Sequence, residues 1–424
     1  MTNTRSDAVM TIIIVADHAF INGGQAKVAI ESALGLAGRG NRVVFFAAVG
    51  PADPRLAQAG IAVIVLGQTD VALTTSLASF GVQWLWNRPA ALRLEALLSG
   101  YDPEDSVVHV HGWAKALSPS IGPVLKATRV PVVFTLHEYY LACPNGGFYD
   151  YPISAACHRT PLSPSCIAYN CDSRSYARKL MRVGRHALMR GSGLVGSAAT
   201  VITISRLQKT VLTPYLPKRT RYVEVSNPVD AEPLGRKADR PLGDIVFVGR
   251  VSPEKGANVF AEAARLAGQT AVFIGDGPQR AQLESEYPEA RFLGWKNPAE
   301  VKALMRAARA LVFPSVWYEG QPLTVLESLA AGTPVIVSDI CAGREAVEDG
   351  VNGLWFASSK PDSLAAALMR LSDDAEARRM SNAAYDLFWA DPLTLDRHLD
   401  GIEAVYRSRL ASVPSPSTSR ASHA

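Results

Sequence analysis

The sequence predicts an α/β protein made of two doubly wound domains that face each other across a cleft. Its 424 residues suffice for two domains of about 200 residues each. Short apolar runs alternate with helical patterns along the chain, which is typical of parallel sheets covered on both faces. A polar segment, 228–243, separates two such series. Sheets of this kind bind ligands outside the carboxyl ends of their strands, so we expect the functional site in the cleft.

The first series of strands belongs to a domain predicted at 1–227, which carries an insert at 138–172. Its predicted strands are Met10–Ala16, Arg42–Ala48, Ile61–Leu66, Ser106–His111, Val130–Leu136, Thr200–Ser205 and Tyr222–Ser226. A hinge at 228–243 leads to the second domain, 244–388. The strands predicted there are Asp244–Val248, Thr270–Ile274, Arg291–Leu293, Ala310–Phe313 and Pro334–Val337. The final segment, 411–424, is rich in Ser and Pro, and we expect it to be disordered.

Composition excludes several classes of protein. Hydrophobic residues make up 48% of the chain and charged residues 19%, as in a soluble globular protein. No apolar run reaches the roughly 18 residues of a membrane span, and the apolar run 9–16 lacks a cleavage site. We therefore expect a cytoplasmic protein. The net charge of +4 gives no argument for nucleic acid. Neither a Walker loop nor a G-x-G-x-x-G motif occurs, so ATP and nicotinamide chemistry have no support.

Two glutamates, Glu319 and Glu327, are the most informative residues of the chain. Glu319 stands on a loop after the apolar run 310–314, and Glu327 lies early in the helix that follows. The free N–H groups of Leu323 and Thr324 at the start of that helix favour an anion. Two acids beside an anion site suggest that the acids hold hydroxyls while the amides hold phosphate. A nucleotide sugar offers that combination, whereas a surface role at the helix dipole is the alternative.

A cluster of cations follows the first strand of the second domain, in Gly-Arg250-Val-Ser-Pro-Glu-Lys255-Gly. Arg250 stands on the loop after the strand, and Lys255 stands at the start of the next helix. Both can converge on a diphosphate, Arg250 as a planar fork and Lys255 as a point charge. Each charge-assisted contact contributes roughly 1.5–3 kcal/mol. Two solvated surface cations are the alternative.

These two elements, E-x7-E and G-R-x4-K-G, resemble the signatures of retaining glycosyltransferases of family 4, which have the GT-B fold of two Rossmann-like domains. The resemblance covers nearly the whole chain. It implies that Glu327 holds the ribose of a nucleotide-sugar donor and that Glu319 lies beside the donor sugar. It implies that Arg250 and Lys255 grip the donor diphosphate without a metal. It also implies a helix at 389–410 that crosses back to the first domain.

Neighbouring positions carry weaker signals for the donor. Gly320 and Gln321 follow Glu319, but the run Gly-Gln-Pro departs from the commoner E-G-F-G form. Because Pro322 cannot donate an N–H, the amides of Leu323 and Thr324 would have to hold the phosphate. Trp295 ends a strand where family members place the nucleobase, so it either stacks on the base or packs against the domain.

The first domain offers a loop and a histidine for the other side of the reaction. Gly23 and Gly24 follow the first strand, where the family has a Gly-Gly loop near the reaction centre; a plain tight turn is the alternative. His109 and His111 end another strand, and alternation sends them to opposite faces. His111, nearer the loop, is the candidate for the cleft and the acceptor, and His109 is the candidate for the core.

The stretch Thr-Leu-His137-Glu138-Tyr-Tyr resembles the T-L-H-D-Y stretch of many family members. There the histidine faces the donor sugar, and its acidic neighbour helps to order the loop on the acceptor side. The resemblance implies those roles for His137 and Glu138. The sequence leaves open whether His137 exchanges a proton or only donates a hydrogen bond.

Four cysteines fall within the insert: Cys143, Cys157, Cys166 and Cys171. A cytoplasmic chain disfavours stable disulfides. The spacings of 13, 8 and 4 intervening residues lack the usual C-x2-C pairs of zinc sites, so we expect packing thiols and no metal, with a structural zinc as the alternative. The insert looks like one found in a bacterial subgroup of the family.

The segment 174–190 is a basic helical stretch with apolar residues interleaved. This pattern is typical of a helix on an anionic membrane surface, although an ordinary solvated helix is the alternative. No aromatic platform accompanies the charge, which argues against nucleic acid. A membrane-facing helix on the acceptor domain would suit an acceptor carried by a lipid.

These observations predict a retaining glycosyltransferase that uses a UDP- or GDP-sugar, requires no cofactor, and serves bacterial polysaccharide or glycolipid assembly. Its acceptor would be a glycan or a polyprenyl-linked hydroxyl, presented at the inner face of the membrane. A nucleotide-sugar epimerase of the same fold, which needs no acceptor, is one alternative. A non-catalytic protein that binds sugar nucleotides is the other.

Overall fold

The computed structural model describes residues 9–70, 77–237 and 242–413. Two parallel sheets with helices on their faces confirm the predicted α/β class with two doubly wound domains. Among the residues described, no helix is both long enough and apolar enough to cross a bilayer.

The first domain is built on seven parallel strands. They are β1 Thr11–His18, β2 Arg42–Val49, β3 Ala62–Gln68, β4 Ser106–Val110, β5 Val132–Leu136, β8 Thr200–Thr203 and β9 Arg221–Glu224. Their order in the sheet is β3-β2-β1-β4-β5-β8-β9. The helices of this half are α1 Gly24–Gly38, α2 Pro54–Gln58, α3 Leu77–Trp86, α4 Arg88–Leu98, α5 Ile121–Ala127, α6 Pro164–Ala168, α7 Tyr176–Gly191, α8 Leu194–Ser197 and α9 Arg206–Leu212.

The insert 138–172 adds a short antiparallel hairpin of β6 Tyr149–Asp150 and β7 Ala155–Ala156, which the sequence did not predict. All seven predicted strands of the first domain are present. The largely apolar character of the central strands follows from burial on both faces, as in β1 and β5, where every residue is buried.

The second domain contains six parallel strands in the order β12-β11-β10-β13-β14-β15. They are β10 Ile245–Val248, β11 Val272–Ile274, β12 Arg291–Phe292, β13 Ala310–Phe313, β14 Val335–Ser338 and β15 Gly353–Phe356. Its helices are α10 Ala257–Leu266, α11 Arg280–Glu286, α12 Pro298–Ala307, α13 Leu323–Ala330, α14 Pro361–Arg370 and α15 Asp374–Ala390. Strand β15 was missed because it begins with a glycine and exposes Trp355 in a run of only four residues.

The last helix, α16 Leu395–Leu410, packs against the first domain. Leu399, Ile402 and Tyr406 are buried in the core that β1 and α1 share. Arg39 of the first domain forms ion pairs with three acids of this helix, Asp396, Asp400 and Glu403. The helix begins six residues after the predicted start at 389, because α15 continues to Ala390. The tail predicted to be disordered lies outside the described residues after Val413.

Candidate active site

Glu319 is the centre of a tight cluster at the carboxyl end of β13. One of its oxygens, Oε1, accepts hydrogen bonds from Lys255 Nζ, from Ser315 Oγ at 3.0 Å and from Trp317 Nε1 at 3.0 Å. The Lys255 ammonium also lies 5.8 Å from the ring centroid of Phe313 and 6.0 Å from that of Trp317. The cluster therefore fixes one cation at the edge of the cleft, with both members of the ion pair mostly buried.

Backbone packing explains why a glycine follows Lys255. Gly256 has φ +69°, and a Cβ atom there would lie 2.0 Å from the carbonyl oxygen of Pro314. Only glycine permits this close approach of the Lys255 turn to the end of β13. The amide of Val316 then donates to the carbonyl of Glu254 at 3.0 Å, which joins the two loops. Backbone packing therefore requires the last glycine of the G-R-x4-K-G motif, whereas the Arg and Lys of the motif were predicted to bind a diphosphate.

Arg250 lies exposed on the loop after β10. Within the described part of the chain its guanidinium has no ion pair or hydrogen bond, so all five of its donors are available to an anion. Leu323 and Thr324 begin α13 after Pro322, and their amides have no intrahelical acceptor. The structure therefore keeps free donors on two strand-end loops of the second domain.

Glu327 lies half-buried on α13, and its side-chain carboxylate has no hydrogen-bond partner among the described residues. Burial raises the pKa of its carboxyl, and the cations of Lys27 and Lys302 oppose that rise. The carboxylate of Asp230 lies 3.6 Å from Lys27 Nζ and 3.1 Å from Lys302 Nζ. Asp230 in the hinge thus joins α1 of the first domain to α12 of the second beside Glu327. Sequence reasoning missed this bridge, because its members lie 72 or more residues apart.

Gly320 and Gln321 contact residues outside the second domain, and their binding of the donor stays a prediction. A Cβ atom at Gly320 would lie 3.2 Å from side-chain atoms of Ile204 and Gln208 in the first domain. Gln321 Oε1 accepts from the amide of Asn227 at 2.7 Å. Both positions therefore determine how closely the two domains approach.

Trp295 is 74% exposed at the end of the loop after β12. The packing alternative for this residue is therefore wrong, since its ring contacts little of the domain. An exposed indole beside the cleft suits stacking on a flat ligand, and that role stays a prediction.

Gly23 and Gly24 are exposed at the start of α1. Neither residue has a left-handed backbone, and a Cβ atom at either would meet nothing within 4 Å. Neither the backbone conformation nor neighbouring atoms therefore require glycine at these two positions. The loop faces open space, which leaves room for a ligand to approach the backbone.

Three histidines form a row in the first domain, with His109 and His111 buried and His137 half-buried. His137 Nε2 and His111 Nδ1 share a hydrogen bond of 3.2 Å, and the ring centroids of His111 and His109 are 4.0 Å apart. His109 bonds Thr135 Oγ1 at 2.7 Å and the hydroxyl of Tyr406 at 2.6 Å, which places it in the core as predicted. Burial lowers the pKa of His137 to about 3 and the pKa values of the other two well below 6.5. All three rings are neutral at neutral pH.

His111 supports His137 from behind, which corrects the prediction that it contacts the acceptor. It is 3% exposed, and the cavity beside it holds only about 30 Å³, room for one or two waters. Its backbone carbonyl accepts from Gln25 Nε2 at 2.6 Å. Its Nε2 atom is buried without a partner in the described chain.

The loop after β4 is held by two acids. Asp17 accepts from the backbone amides of Lys115, Ala116 and Leu117 at 2.8–2.9 Å. Glu138 lies 3.3 Å from Lys115 Nζ, and the attraction of Glu138 raises the pKa of that lysine. Glu138 thereby connects the His137 loop to the loop that follows His111.

Two of the four cysteines of the insert lie beside a lysine, and a structural zinc stays the alternative to packing thiols. Cys166 and Cys171 have their Sγ atoms 3.4 and 3.2 Å from Lys179 Nζ, so an ammonium occupies the space between them. The described residues contain no group of three or more side chains arranged to hold a metal ion. All are free thiols, and burial raises the pKa values of Cys143 and Cys171.

Comparisons with known proteins agree with this site and fold. A family model described as "Glycosyltransferase Family 4" matches residues 22–233, and one described as "Glycosyl transferases group 1" matches residues 234–387. A glycogen synthase of Mycobacterium tuberculosis is 30% identical over 318 residues, 71% of this chain and 69% of that protein. An Escherichia coli UDP-Gal:alpha-D-GlcNAc-diphosphoundecaprenol alpha-1,3-galactosyltransferase is 32% identical over 149 residues, 32% of this chain and 38% of that one.

Solved structures have the same architecture. Anabaena Alr3699/HepE in complex with UDP matches with a TM-score of 0.63 and 17% identity, over 94% of this chain and all of that one. Sucrose-phosphate synthase from Thermosynechococcus elongatus matches with a TM-score of 0.67 and 19% identity, over 95% of this chain and 99% of that one. The fold is therefore that of the GT-B glycosyltransferases. The chain belongs to glycosyltransferase family 4, as its motifs indicated, and it is a glycosyltransferase.

Proposed function

We propose that this protein is a retaining glycosyltransferase that moves a sugar from a nucleoside-diphosphate donor to a hydroxyl acceptor. The observation that carries the proposal is the Glu327 carboxylate, which has no hydrogen-bond partner in the described part of the chain and lies one helical turn beyond the free amides of Leu323 and Thr324. Arg250 and Lys255 stand on the neighbouring loop. The carboxylate can accept hydrogen bonds from the hydroxyls of a ribose. The two amides and the two cations can bind a diphosphate.

In this proposal each part of the donor meets a different group. Glu327 accepts hydrogen bonds from the ribose hydroxyls, and Trp295 stacks on the base. The amides at the start of α13 bind the diphosphate, and Arg250 closes over it. Lys255, already held by Glu319, neutralises charge that grows on the departing diphosphate. The UDP complex of the Anabaena protein supports a nucleotide donor. No cofactor takes part.

Retention follows in this scheme from the state of Glu319. Its Oε1 atom already accepts three hydrogen bonds, which makes it a poor nucleophile toward the sugar. The departing diphosphate would instead deprotonate the acceptor on the face that it leaves. His137, neutral because of its lowered pKa, would donate or accept a hydrogen bond at the donor sugar without transferring a proton. Catalysis would then consist of positioning and electrostatic stabilisation.

For the acceptor we propose a polyprenyl-diphosphate glycan at the cytoplasmic face of an anionic membrane, in the assembly of a bacterial polysaccharide or glycolipid. The E. coli relative is named for a diphosphoundecaprenol-linked substrate, which supports this class. A glycan without a lipid is the second candidate, because the M. tuberculosis relative is named a glycogen synthase.

Calorimetric titration with UDP-, GDP-, ADP- and TDP-sugars tests the donor. We expect one base to bind at least tenfold more tightly than the others. Nuclear magnetic resonance of the product should then show the anomeric configuration of the donor. Conversion of the donor sugar without any acceptor would identify an epimerase instead. Tight binding without turnover on any acceptor would indicate a non-catalytic binding protein.

A further inference from the structure

Helix α7 presents its basic side to the protein, contrary to the prediction that this side faces a membrane. Lys179 and Arg185 are 1% and 5% exposed. The Arg185 guanidinium donates to the carbonyls of Trp84 at 2.8 Å and Ala114 at 2.7 Å, and burial lowers its pKa to about 10, so it stays charged at neutral pH. Arg182 pairs with the buried Asp172 at 3.0 Å.

The outward side of α7 is apolar. Leu180, Met181 and Leu188 are 42%, 38% and 46% exposed. Tyr176 extends this strip toward α6, since its hydroxyl donates to the carbonyl of Ile167, another exposed apolar residue. At the other end, a groove of about 810 Å³ opens between α7, α5 and the end of α3, with Trp86, Pro123, Ala127, Gly184 and Leu188 among its lining residues. Contiguous apolar surface of this kind marks an interaction site.

The segment of sequence that contains this strip carries charge of one sign, although Lys179, Arg182 and Arg185 within it face the protein. Residues 173–223 contain eleven Lys and Arg and no Asp or Glu, although the whole chain carries only +4. The rest of the chain therefore carries −7. Arg174, Arg178 and Arg190 are exposed at the borders of the strip, and Lys126 lines the groove. An apolar strip bordered by cations complements the headgroups and acyl chains of an anionic bilayer.

We infer that the outward face of α7, together with Trp86 and the groove, inserts into the surface of an anionic bilayer. This inference rests on the proposed lipid-linked acceptor. A soluble polyanion would satisfy the cations but would leave Leu180, Met181 and Leu188 in water. The inward face of the same helix reaches Ala114, which lines the cavity of His111 and His137. The bilayer would thus lie about one helix diameter, 10–12 Å, from the acceptor side of the cleft.

The test is flotation of the full chain with vesicles of phosphatidylcholine alone or with phosphatidylglycerol added. We expect binding only to the anionic vesicles, weakened by salt. The double variant Leu180→Glu/Leu188→Glu should bind the anionic vesicles at least tenfold more weakly than the wild type. The double variant Leu180→Ser/Leu188→Ser should lose less of this affinity. The matched control is Leu266→Glu, 51% exposed on α10 of the second domain, which should bind like the wild type. Brominated lipids should quench the tryptophan fluorescence of the wild type more than that of Trp86→Phe.

Several results would overturn the inference. Wild-type protein that ignores anionic vesicles at low ionic strength is one, and double variants that float like the wild type are another. A wild-type dimer in light scattering that the double variant converts to a monomer would show that a second copy covers α7. Titration with UDP and GDP separates this inference from the proposed function. All variants should bind nucleotide like the wild type, whereas absence of nucleotide binding in wild-type protein would refute the function whatever the vesicles show.

Discussion

Replacement of Glu327 by Gln should separate donor affinity from stability. In the structure this carboxylate is half-buried and has no hydrogen-bond partner among the described residues, so it contributes nothing to the fold that an amide would lose. In the complex it would accept two charge-assisted hydrogen bonds from the ribose. We therefore expect Glu327→Gln and Glu327→Ala to weaken donor binding without a fall in the melting temperature.

The magnitude follows from the bonds that the donor would lose. Breaking two hydrogen bonds to a charged acceptor costs about 2–4 kcal/mol once partial compensation by water is allowed. At 1.36 kcal/mol for each factor of ten, this range corresponds to an affinity about 30- to 900-fold lower for Glu327→Ala. Glu327→Gln keeps one acceptor oxygen, so its loss should fall at the lower end of that range.

Calorimetry with the nucleotide sugar that the wild type binds best measures this difference. Glu284→Gln is the matched control, because Glu284 is exposed on α11 of the same domain and pairs with Arg280. That variant should bind the donor like the wild type. Affinity within twofold of wild type in Glu327→Ala would refute the ribose assignment.

The raised pKa of Glu327 adds a second signature. In the unfolded chain this carboxyl has a pKa near 4.5, and in the folded protein its pKa is higher. The folded protein therefore takes up the proton at a higher pH than the unfolded chain does. The buried negative charge therefore lowers the free energy of unfolding at pH values above the folded pKa. This destabilisation disappears as the pH falls toward 4.5. We expect Glu327→Gln to be at least as stable as wild type at pH 7, with the two proteins converging at pH 4. Donor affinity of the wild type should fall over the same acidic range.

Three further predictions concern the rest of the site. Arg250→Ala and Lys255→Ala should each lower kcat/KM more than tenfold with turnover unaffected by EDTA; loss of activity on chelation, restored by Mg²⁺, would show that a metal stabilises the diphosphate instead. Trp317→Phe removes one hydrogen bond to Glu319 but keeps the ring, so we expect a roughly tenfold lower kcat, about the 1.5 kcal/mol of such a bond, at unchanged donor affinity. Because the pKa of His137 is about 3, the free energy of unfolding should fall as the pH drops below 6.5, where the unfolded imidazole gains a proton. The fall should be less steep in His137→Gln, and equal slopes in both proteins would contradict a neutral ring in the folded state.

Most of the fold could be predicted because parallel strands buried on both faces leave a clear record in the sequence. Strand β1 contains the apolar run 12–16, and β13 is apolar throughout. The hairpin β6–β7 left no such record, since two-residue strands show no periodicity. Strand β15 was hidden for a related reason: it lies at the edge of its sheet and exposes Trp355.

The candidate site could be predicted where its residues form local motifs and not where the fold joins distant segments. Glu319 and Lys255 belong to separate motifs, and the structure brings them into one ion pair. The bridge from Asp230 to Lys27 and Lys302 has no local pattern, because a lone Asp in a hinge resembles any polar linker residue. Its position beside Glu327 depends on how the two domains close, which a motif does not encode.

Helix α7 shows what an amphipathic pattern leaves undecided. The pattern of 174–190 gave two faces of opposite character, and solvation by water alone would turn the charged face outward. The orientation was decided instead by partners from elsewhere in the chain: two carbonyls that accept from Arg185 and a buried carboxylate, Asp172, for Arg182. A buried cation with such partners is stable in place, whereas the same cation without them would return to water. The apolar face then remains outside, where a bilayer rather than the protein core can cover it.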